Sequence, residues 1–187
     1  MKRKRKPKIK YGWLVLGVCL LALIQKEWKL EWKQNPAKAS EKNMVAYIDQ
    51  YTPLAIRERA QHGIPASITL AQGLLESQAG KSVLAIKTNN HFGIKCFLNT
   101  CPKGHCTNHP DDTHKDFFVI YENPGESYEA HSNFLKKERY LPLYQLPISD
   151  YRGWANGLAK AGYATDPLYG QKLISIIEKY QLQKLDH

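Results

Sequence analysis

The sequence offers almost no strand-like segments, and it contains no internal repeat and no low-complexity tract beyond a basic N-terminus. Only residues 117–121 (FFVIY) have the aromatic and β-branched run that is typical of a strand. The scarcity of strands leaves helices, separated by Gly and Pro, as the main elements. We therefore predict a mainly α domain that carries one small β-hairpin or irregular loop.

Acidic residues are scarce at the start of the chain and nearly balance the basic residues elsewhere. Residues 1–40 hold 2 Asp/Glu against 11 Lys/Arg, whereas residues 41–187 hold 15 Asp/Glu against 16 Lys/Arg. The formal net charge of +10 is therefore almost entirely N-terminal. A nucleic-acid-binding domain normally carries its own basic face, so we expect no nucleic acid among the partners.

The N-terminus combines a basic block with an uncharged apolar run. Residues 1–10 hold seven Lys/Arg, and residues 11–25 (YGWLVLGVCLLALIQ) hold none. This order predicts a cytoplasmic tail over 1–10, then a signal anchor or signal peptide, then a juxtamembrane linker over 26–43. Since no small-x-small site directly follows the run, we favour an uncleaved anchor. It would hold a domain over 44–182 outside the cytoplasmic membrane, in the cell envelope. A cleaved signal, or lipid attachment at Cys19, remains open.

Capping and breaking residues set the predicted helices. A short helix over 41–51 is followed by Thr52-Pro53, which we interpret as the start of a second helix that ends at Gly63. Further helices are predicted over about 65–78, from a Ser149 cap to Gly162, and from Asp166 onward. The last of them carries an apolar stripe that we assign to the core, formed by Tyr169, Leu173, Ile176, Ile177 and Tyr180.

The helix predicted after Pro65 lacks the charges of a solvent-facing surface. Residues 65–80 (PASITLAQGLLESQAG) contain one charged residue, Glu76. Ile and Leu fill one broad arc, and the opposite arc holds Gln72, Gly73 and Glu76 rather than Lys and Glu. Both faces are therefore expected to be covered, which leaves Glu76 as a lone carboxylate near the end of a largely buried helix.

A carboxyl group in that position suits acid catalysis. Partial burial raises its pKa because the charged form loses hydration, so the group can donate a proton near neutral pH. We expect Gln72, on the same arc as Glu76, to contact the ligand. The alternative, which the residues alone leave open, is a structural Glu76 paired with Lys81, Lys87 or Lys95.

The sequence around Glu76 resembles a known family. The segments SITLAQGLLESQAGKSVLA and TNNHFGIKC resemble the signature of the glucosaminidase family of cell-wall hydrolases, which are mannosyl-glycoprotein endo-β-N-acetylglucosaminidase-like and include flagellar rod-cap hydrolases and autolysins. The resemblance continues through FFVIYENPGESYEAHSNFL and AGYATDPLYGQKLISIIEKYQL, and covers roughly residues 44–182. It implies a lysozyme-like, two-lobed helical fold that cleaves the β-1,4 bond after N-acetylglucosamine in peptidoglycan glycan strands.

The resemblance also assigns roles to individual residues. The Glu of the family's L-E-S motif is its general acid, and here that residue is Glu76. The family's N-N-x-F-G-I-K motif implies that Asn89, Asn90 and Phe92 belong to the substrate cleft. The tyrosine of G-Y-A-T-D-P, here Tyr163, lies near the catalytic Glu in the family; it would orient water or stabilise the positive charge that develops on the sugar.

Two features depart from the family pattern. Gln78-Ala79 stands where many relatives have Gly-Trp, which removes an aromatic sugar contact. Glycosidases usually need a second acid, and many relatives carry it in a hairpin after F-G-I-K. Here HPDDTHKDFF offers Asp112 first and then Asp111. Assistance from the substrate's own acetamido group, which requires no second carboxylate, remains open.

Three cysteines lie close together in the segment that follows F-G-I-K. Cys96, Cys101 and Cys106 occur at five-residue steps with histidines nearby, but the spacing matches none of the common structural zinc patterns. In an exported domain we expect one disulfide to close this loop, without a preferred pair. We predict no metal and no cofactor.

Two other functions fit the same motifs. A degenerate copy would act as a peptidoglycan-binding module without catalysis, and a muramidase or lytic transglycosylase would use the same fold on another bond or reaction. The sequence contains no clear oligomerisation signal.

Overall fold

The structure, a computed structural model, describes residues 36–96, 104–108 and 117–187, and Asn43–His187 forms one compact unit. The prediction of a mainly α domain with a small hairpin is confirmed. In chain order the elements are α1 (Pro36–His62), α2 (Ala66–Glu76), α3 (Val83–Thr88), β1 (Cys106–Asn108), β2 (Phe117–Val119), α4 (Pro124–Phe134), a 3-10 helix (Glu138–Gln145), α5 (Tyr151–Lys160), α6 (Tyr169–Lys179) and a second 3-10 helix (Leu182–Asp186).

The predicted basic tail and apolar run lie outside the described residues. Across residues 36–96, 104–108 and 117–187, no helix combines the length and apolarity needed to cross a membrane. The predicted linker over 26–43 is helical from Pro36 onward, because α1 starts there.

The predicted break at Thr52-Pro53 is wrong, since α1 runs through it as one helix. Pro53 has no N–H to donate to the carbonyl of Asp49, but Asp49 is exposed, so water can satisfy that group. The Thr52 hydroxyl turns back into the helix and donates to the Ile48 carbonyl at 2.7 Å. Thr52 therefore bonds within the helix instead of capping a new one.

Helix α2 is the central element, and it packs against α5, α6 and the second 3-10 helix. Nine of its 11 residues are buried, which confirms that both of its faces are covered. Pro65 supplies no side-chain cap at its start. Instead the buried carboxylate of Asp186 accepts hydrogen bonds from the Ser67 backbone N–H (3.0 Å) and hydroxyl (2.6 Å). An anion at a helix N-terminus is stabilised by the helix dipole, so the C-terminal 3-10 helix anchors α2.

Helices α5 and α6 pack against each other and against α2. The cap of α5 is Asp150, whose side chain accepts from the Gly153 N–H, and not the predicted Ser149 one residue earlier. Helix α6 begins at Tyr169, after Asp166. Its predicted apolar stripe is confirmed, with Tyr169, Leu173 and Ile177 fully buried or nearly so.

A buried carboxylate joins α1 to α4. The Glu58 side chain is 0% exposed, and it accepts hydrogen bonds from Arg57 at 2.7 Å and from the Ser132 hydroxyl of α4 at 2.8 Å. A buried charge left without partners costs several kcal/mol, so these donors are what allow an acid at this position in the core.

The hairpin pairs β1 with β2 in antiparallel register, with Thr107 opposite Phe118. Lys95 forms an isolated bridge to Phe118 on the other side of β2. A disulfide between Cys96 and Cys106 ties the segment before the hairpin to β1, which confirms that one bridge closes this loop.

Candidate functional site

Glu76 is the last residue of α2, where the buried helix reaches the surface. Its side chain is half-buried, whereas Gln72 one turn earlier is fully buried. The backbone then turns sharply: Gln78, Ala79 and Gly80 all have positive φ, at 52°, 54° and 73°. Only glycine adopts this region without strain, so the turn that follows the acid is held by its hydrogen bonds, including Ala79 N–H to the Leu74 carbonyl at 2.8 Å.

The partner of Glu76 is a tyrosine that comes from the far end of the chain. The Tyr169 hydroxyl, at the start of α6, donates to Glu76 Oε1 at 2.9 Å. Among the described residues Glu76 has no ion-pair partner, so the alternative of a structural pair with a lysine finds no support there. The Glu76 carboxyl is therefore held by a neutral donor, and no cation among the described residues stabilises its ionised form.

Two opposing effects set the pKa of Glu76. Burial raises the pKa of this carboxyl, and the hydrogen bond from Tyr169, which favours the ionised form, partly opposes the rise. The net direction is upward, which is what an acid catalyst near neutral pH requires.

Behind Tyr169 the hydrogen bonds continue into the core. Gln72 Nε2 donates to the Tyr169 hydroxyl at 3.0 Å, and Gln72 Oε1 lies 3.1 Å from His131 Nε2 on α4. Burial lowers the pKa of His131 to about 3, so this imidazole is neutral. We call the chain His131–Gln72–Tyr169–Glu76 the acid relay. Gln72 is 0% exposed, so the structure does not support its predicted contact with ligand and makes it a member of the relay instead.

Tyr163 lies beside the relay, in the turn between α5 and α6. Its ring stacks on that of Tyr169, with 5.4 Å between centroids, and meets His131 edge-on at 6.1 Å. Burial, together with the negative charge of Glu76, raises the pKa of Tyr163 well above its usual value. The structure thus brings Tyr163 to the acid as a neutral, half-buried phenol.

The N-N-x-F motif builds the scaffold of the site. Asn89 ends α3 in a left-handed conformation and donates to the carbonyls of Tyr121 and Glu122. Asn90 is buried and bonds to the backbone of Ile94 and Val119. These amides attach the hairpin to α3, and their bonds are to protein rather than to open solvent.

Phe92 is also buried, at 4% exposure, and its ring stacks on His131 with 4.0 Å between centroids. Phe92 therefore supports the acid relay at its His131 end. The contacts that the structure gives Asn89, Asn90 and Phe92 are to protein groups, and their role in the substrate cleft stays a prediction.

The polar arc of α2 is covered by tyrosine hydroxyls. A Cβ at Gly73 would lie 2.6 Å from the Tyr47 hydroxyl and 3.2 Å from that of Tyr128, and these two hydroxyls are 3.0 Å apart. Glycine at position 73 makes room for this buried pair. Only the C-terminal end of the arc, at Glu76, is left for a ligand.

The remaining predicted site residues, Asp111 and Asp112, lie outside the described residues. Two residues that the sequence did not single out belong to the site, Tyr169 and His131. The apolar stripe of α6 predicts correctly that the Tyr169 ring is buried, but it does not predict that the Tyr169 hydroxyl bonds to Glu76. For His131 the available signal was a histidine within YEAHSNFL, a stretch that the family resemblance includes without assigning it a role.

The chain is similar to a known family of proteins. The model of the Glucosaminidase family, described as mannosyl-glycoprotein endo-beta-N-acetylglucosaminidase, matches residues 52–182. Exo-glucosaminidase LytG of Bacillus subtilis (strain 168) is 36% identical over 138 residues, which are 67% of this chain and 47% of LytG. The chain thus spans about half the length of this curated relative.

Solved structures share the fold. The glycoside hydrolase domain of FlgJ from Salmonella typhimurium superposes with a TM-score of 0.59 at 28% identity, covering 75% of this chain and 90% of that domain. The catalytic domain of the autolysin Auto from Listeria monocytogenes reaches a TM-score of 0.64 over 76% of this chain and 87% of its own; at 24% identity it shows likeness of fold. Because the family model matches well over half of the residues of this chain, the chain belongs to the glucosaminidase family.

Proposed function

We propose that this chain is a glycoside hydrolase that cleaves the β-1,4 bond after N-acetylglucosamine in peptidoglycan, with Glu76 as its general acid. The observation that carries the proposal is a half-buried carboxylate at the open end of a buried helix, held by the Tyr169 hydroxyl instead of by a cation. The relatives add support from their names: LytG is an exo-glucosaminidase, and FlgJ of Vibrio parahaemolyticus is a peptidoglycan hydrolase.

The chemistry follows from the two effects on Glu76. Before reaction, burial keeps the carboxyl protonated to higher pH, so its proton can pass to the glycosidic oxygen as the bond from that oxygen to the sugar breaks. Afterwards the carboxylate is left with a negative charge, which the Tyr169 hydroxyl stabilises. The neutral hydroxyl of Tyr163 is suited to orienting the water that completes hydrolysis.

A second group must activate that water or assist the sugar. We propose Asp112 for this role, then Asp111, on the strength of their position in the sequence after the F-G-I-K motif. If neither is needed, the acetamido group of the substrate takes the role.

Product analysis tests the bond that is cleaved. The full-length protein is incubated with purified peptidoglycan, and the fragments are reduced and identified by mass spectrometry. Fragments that end in glucosaminitol are the expected result. Muramitol ends would identify a muramidase, anhydromuramic acid would identify a lytic transglycosylase, and binding to the wall without fragments would identify a binding module.

We further propose that residues 11–25 hold the chain at the outer face of the cytoplasmic membrane. The support is the basic block followed by an apolar run. In cell fractions the full chain should require detergent for release, whereas a chain that lacks residues 1–25 should not. Release of the full chain by salt alone would contradict the anchor.

A further inference from the structure

The acid relay has a direction, because each of its groups offers a fixed number of protons. An ionised Glu76 only accepts, so the Tyr169 hydroxyl must donate to it and must accept from a neighbour. That neighbour is the Gln72 amide, whose NH₂ then faces Tyr169 and whose carbonyl faces α4. The carbonyl in turn requires a proton on His131 Nε2, 3.1 Å away.

With every donor reversed, each hydrogen bond between Tyr169, Gln72 and His131 would still pair a donor with an acceptor. If the Gln72 amide rotated by half a turn, its carbonyl would accept from Tyr169, and its NH₂ would donate to a bare Nε2 of His131. Tyr169 would then have no proton for Glu76, which would gain a hydrogen bond only by becoming protonated and donating to the tyrosine oxygen. The orientation of one buried amide thus decides whether Glu76 is held as a carboxylate or as an acid.

His131 discriminates between the two directions. Its Nδ1 is buried without a hydrogen-bond partner among the described residues. The opposite direction would place the imidazole proton there as a buried, unpaired N–H, and such groups are rarer in proteins than under-satisfied acceptors. Phe92 stacks on the ring at 4.0 Å, which holds the imidazole in place against rotation.

We propose that His131 is a positioning residue that fixes the Gln72 amide, and thereby keeps the Tyr169 hydroxyl donating to Glu76. This inference rests on the proposed role of Glu76 as general acid. Its consequence is that a side chain remote from the substrate lowers the upper pH limit of activity that burial of Glu76 would otherwise give, through two intervening groups.

The groups around the relay do not compete for this role. Among residues 36–96, 104–108 and 117–187, the titratable side chains that interact with Glu76 are Tyr169 from α6 and Tyr163 from the preceding turn, and burial raises the pKa of both phenols. Against His131 lie Phe92 and the edge of Tyr163, and no charged side chain is found among its described contacts. Its imidazole is neutral throughout the range in which Glu76 titrates, so it acts through its tautomer and not through its charge.

The tautomer can be measured in the unmodified protein. Long-range ¹H–¹⁵N correlation spectra of ¹⁵N-labelled full-length protein distinguish a protonated Nε2 from a protonated Nδ1. The proposal predicts the Nε2–H form at a pH above the titration of Glu76. The Nδ1–H form would overturn it, and this result depends neither on activity nor on a variant that must fold.

Variants test the effect on the acid. His131→Met removes the donor, whereas His131→Gln retains an N–H at a similar distance along the side chain. With its amide unfixed, Gln72 competes for the Tyr169 proton, so in His131→Met we expect the pKa of Glu76, followed by ¹³C-carboxyl NMR, and the alkaline limit of kcat/KM to rise together by about half to one pH unit. His131→Gln should return both toward the wild-type values.

Tyr144→Phe is a matched control. It removes a buried hydroxyl that lies outside the acid relay and has no partner among the described residues. Both the pKa of Glu76 and the alkaline limit of kcat/KM should stay unchanged in this variant. Equal Glu76 pKa values in folded His131→Met and wild type would overturn the positioning role. The proposed function fails separately, if Glu76→Gln remains active, because the tautomer and the carboxyl titration do not rely on turnover.

Discussion

Glu76→Gln is expected to lower the rate of peptidoglycan cleavage by about 10²–10⁴-fold, the range typical of a lost general acid. The amide has nearly the same shape, and its carbonyl can still accept the hydrogen bond from Tyr169, now 2.9 Å from Glu76 Oε1. What the substitution removes is the proton that passes to the leaving oxygen. Release of reducing ends from purified peptidoglycan measures the loss.

Stability measurements separate this effect from unfolding. Because burial raises the pKa of Glu76, the folded protein holds its carboxylate at a cost once the pH exceeds the unfolded pKa. Glu76→Gln removes that cost, so near neutral pH its Tm should equal or exceed that of wild type. Glu178→Gln, which alters an exposed carboxylate on α6, is the control and should retain activity. Activity of Glu76→Gln close to wild type would exclude Glu76 as the acid.

The sequence contained enough to predict a partly buried carboxylate on a covered helix, because that signal is local. Residues 65–80 hold one charge, and a charge that interrupts a buried helix requires an explanation within that helix. The structure adds what surrounds it, and this comes from residues distant in the chain. Tyr169 lies 93 positions from Glu76, and His131 lies 59 from Gln72. Periodicity assigns a residue to a face of its own helix and cannot report which hydroxyl meets which carboxylate across the core.

Predictions from neighbouring residues alone do not include the effects of solvent and of contacts with distant parts of the chain. Thr52-Pro53 has the residues of a helix start, yet α1 continues, since Asp49, whose carbonyl would accept from an N–H at position 53, is an exposed residue that water can reach. The family resemblance implies that Asn89 and Asn90 belong to the substrate cleft, and that role stays a prediction. What the sequence could not show is that their amides bond to the backbone in and after β2, a need that appears only once β2 is in place.

Tyr169→Phe is expected to raise the alkaline limit of kcat/KM by about one pH unit. The hydrogen bond from Tyr169 lowers the pKa of Glu76 against the larger effect of burial, so its loss lets the pKa rise further. A general acid acts while protonated, and activity falls as the pH passes above its pKa. A higher pKa therefore extends activity to higher pH. The pH dependence of kcat/KM on soluble glycan fragments, with ¹³C-carboxyl NMR of Glu76, gives the measurement.

The same substitution should reduce kcat by about tenfold at its optimum, since the hydrogen bond that lowers the pKa also stabilises the carboxylate left after proton transfer. The two effects share one cause and should appear together. Tyr180→Phe, on the same apolar stripe but outside the relay, should show neither. An alkaline limit that stays in place or moves to lower pH would mean that the Tyr169 hydroxyl does not hold the ionised acid. The burial of Glu76 would then act alone on its pKa, and the chain of bonds from His131 would end at Gln72 without reaching the chemistry.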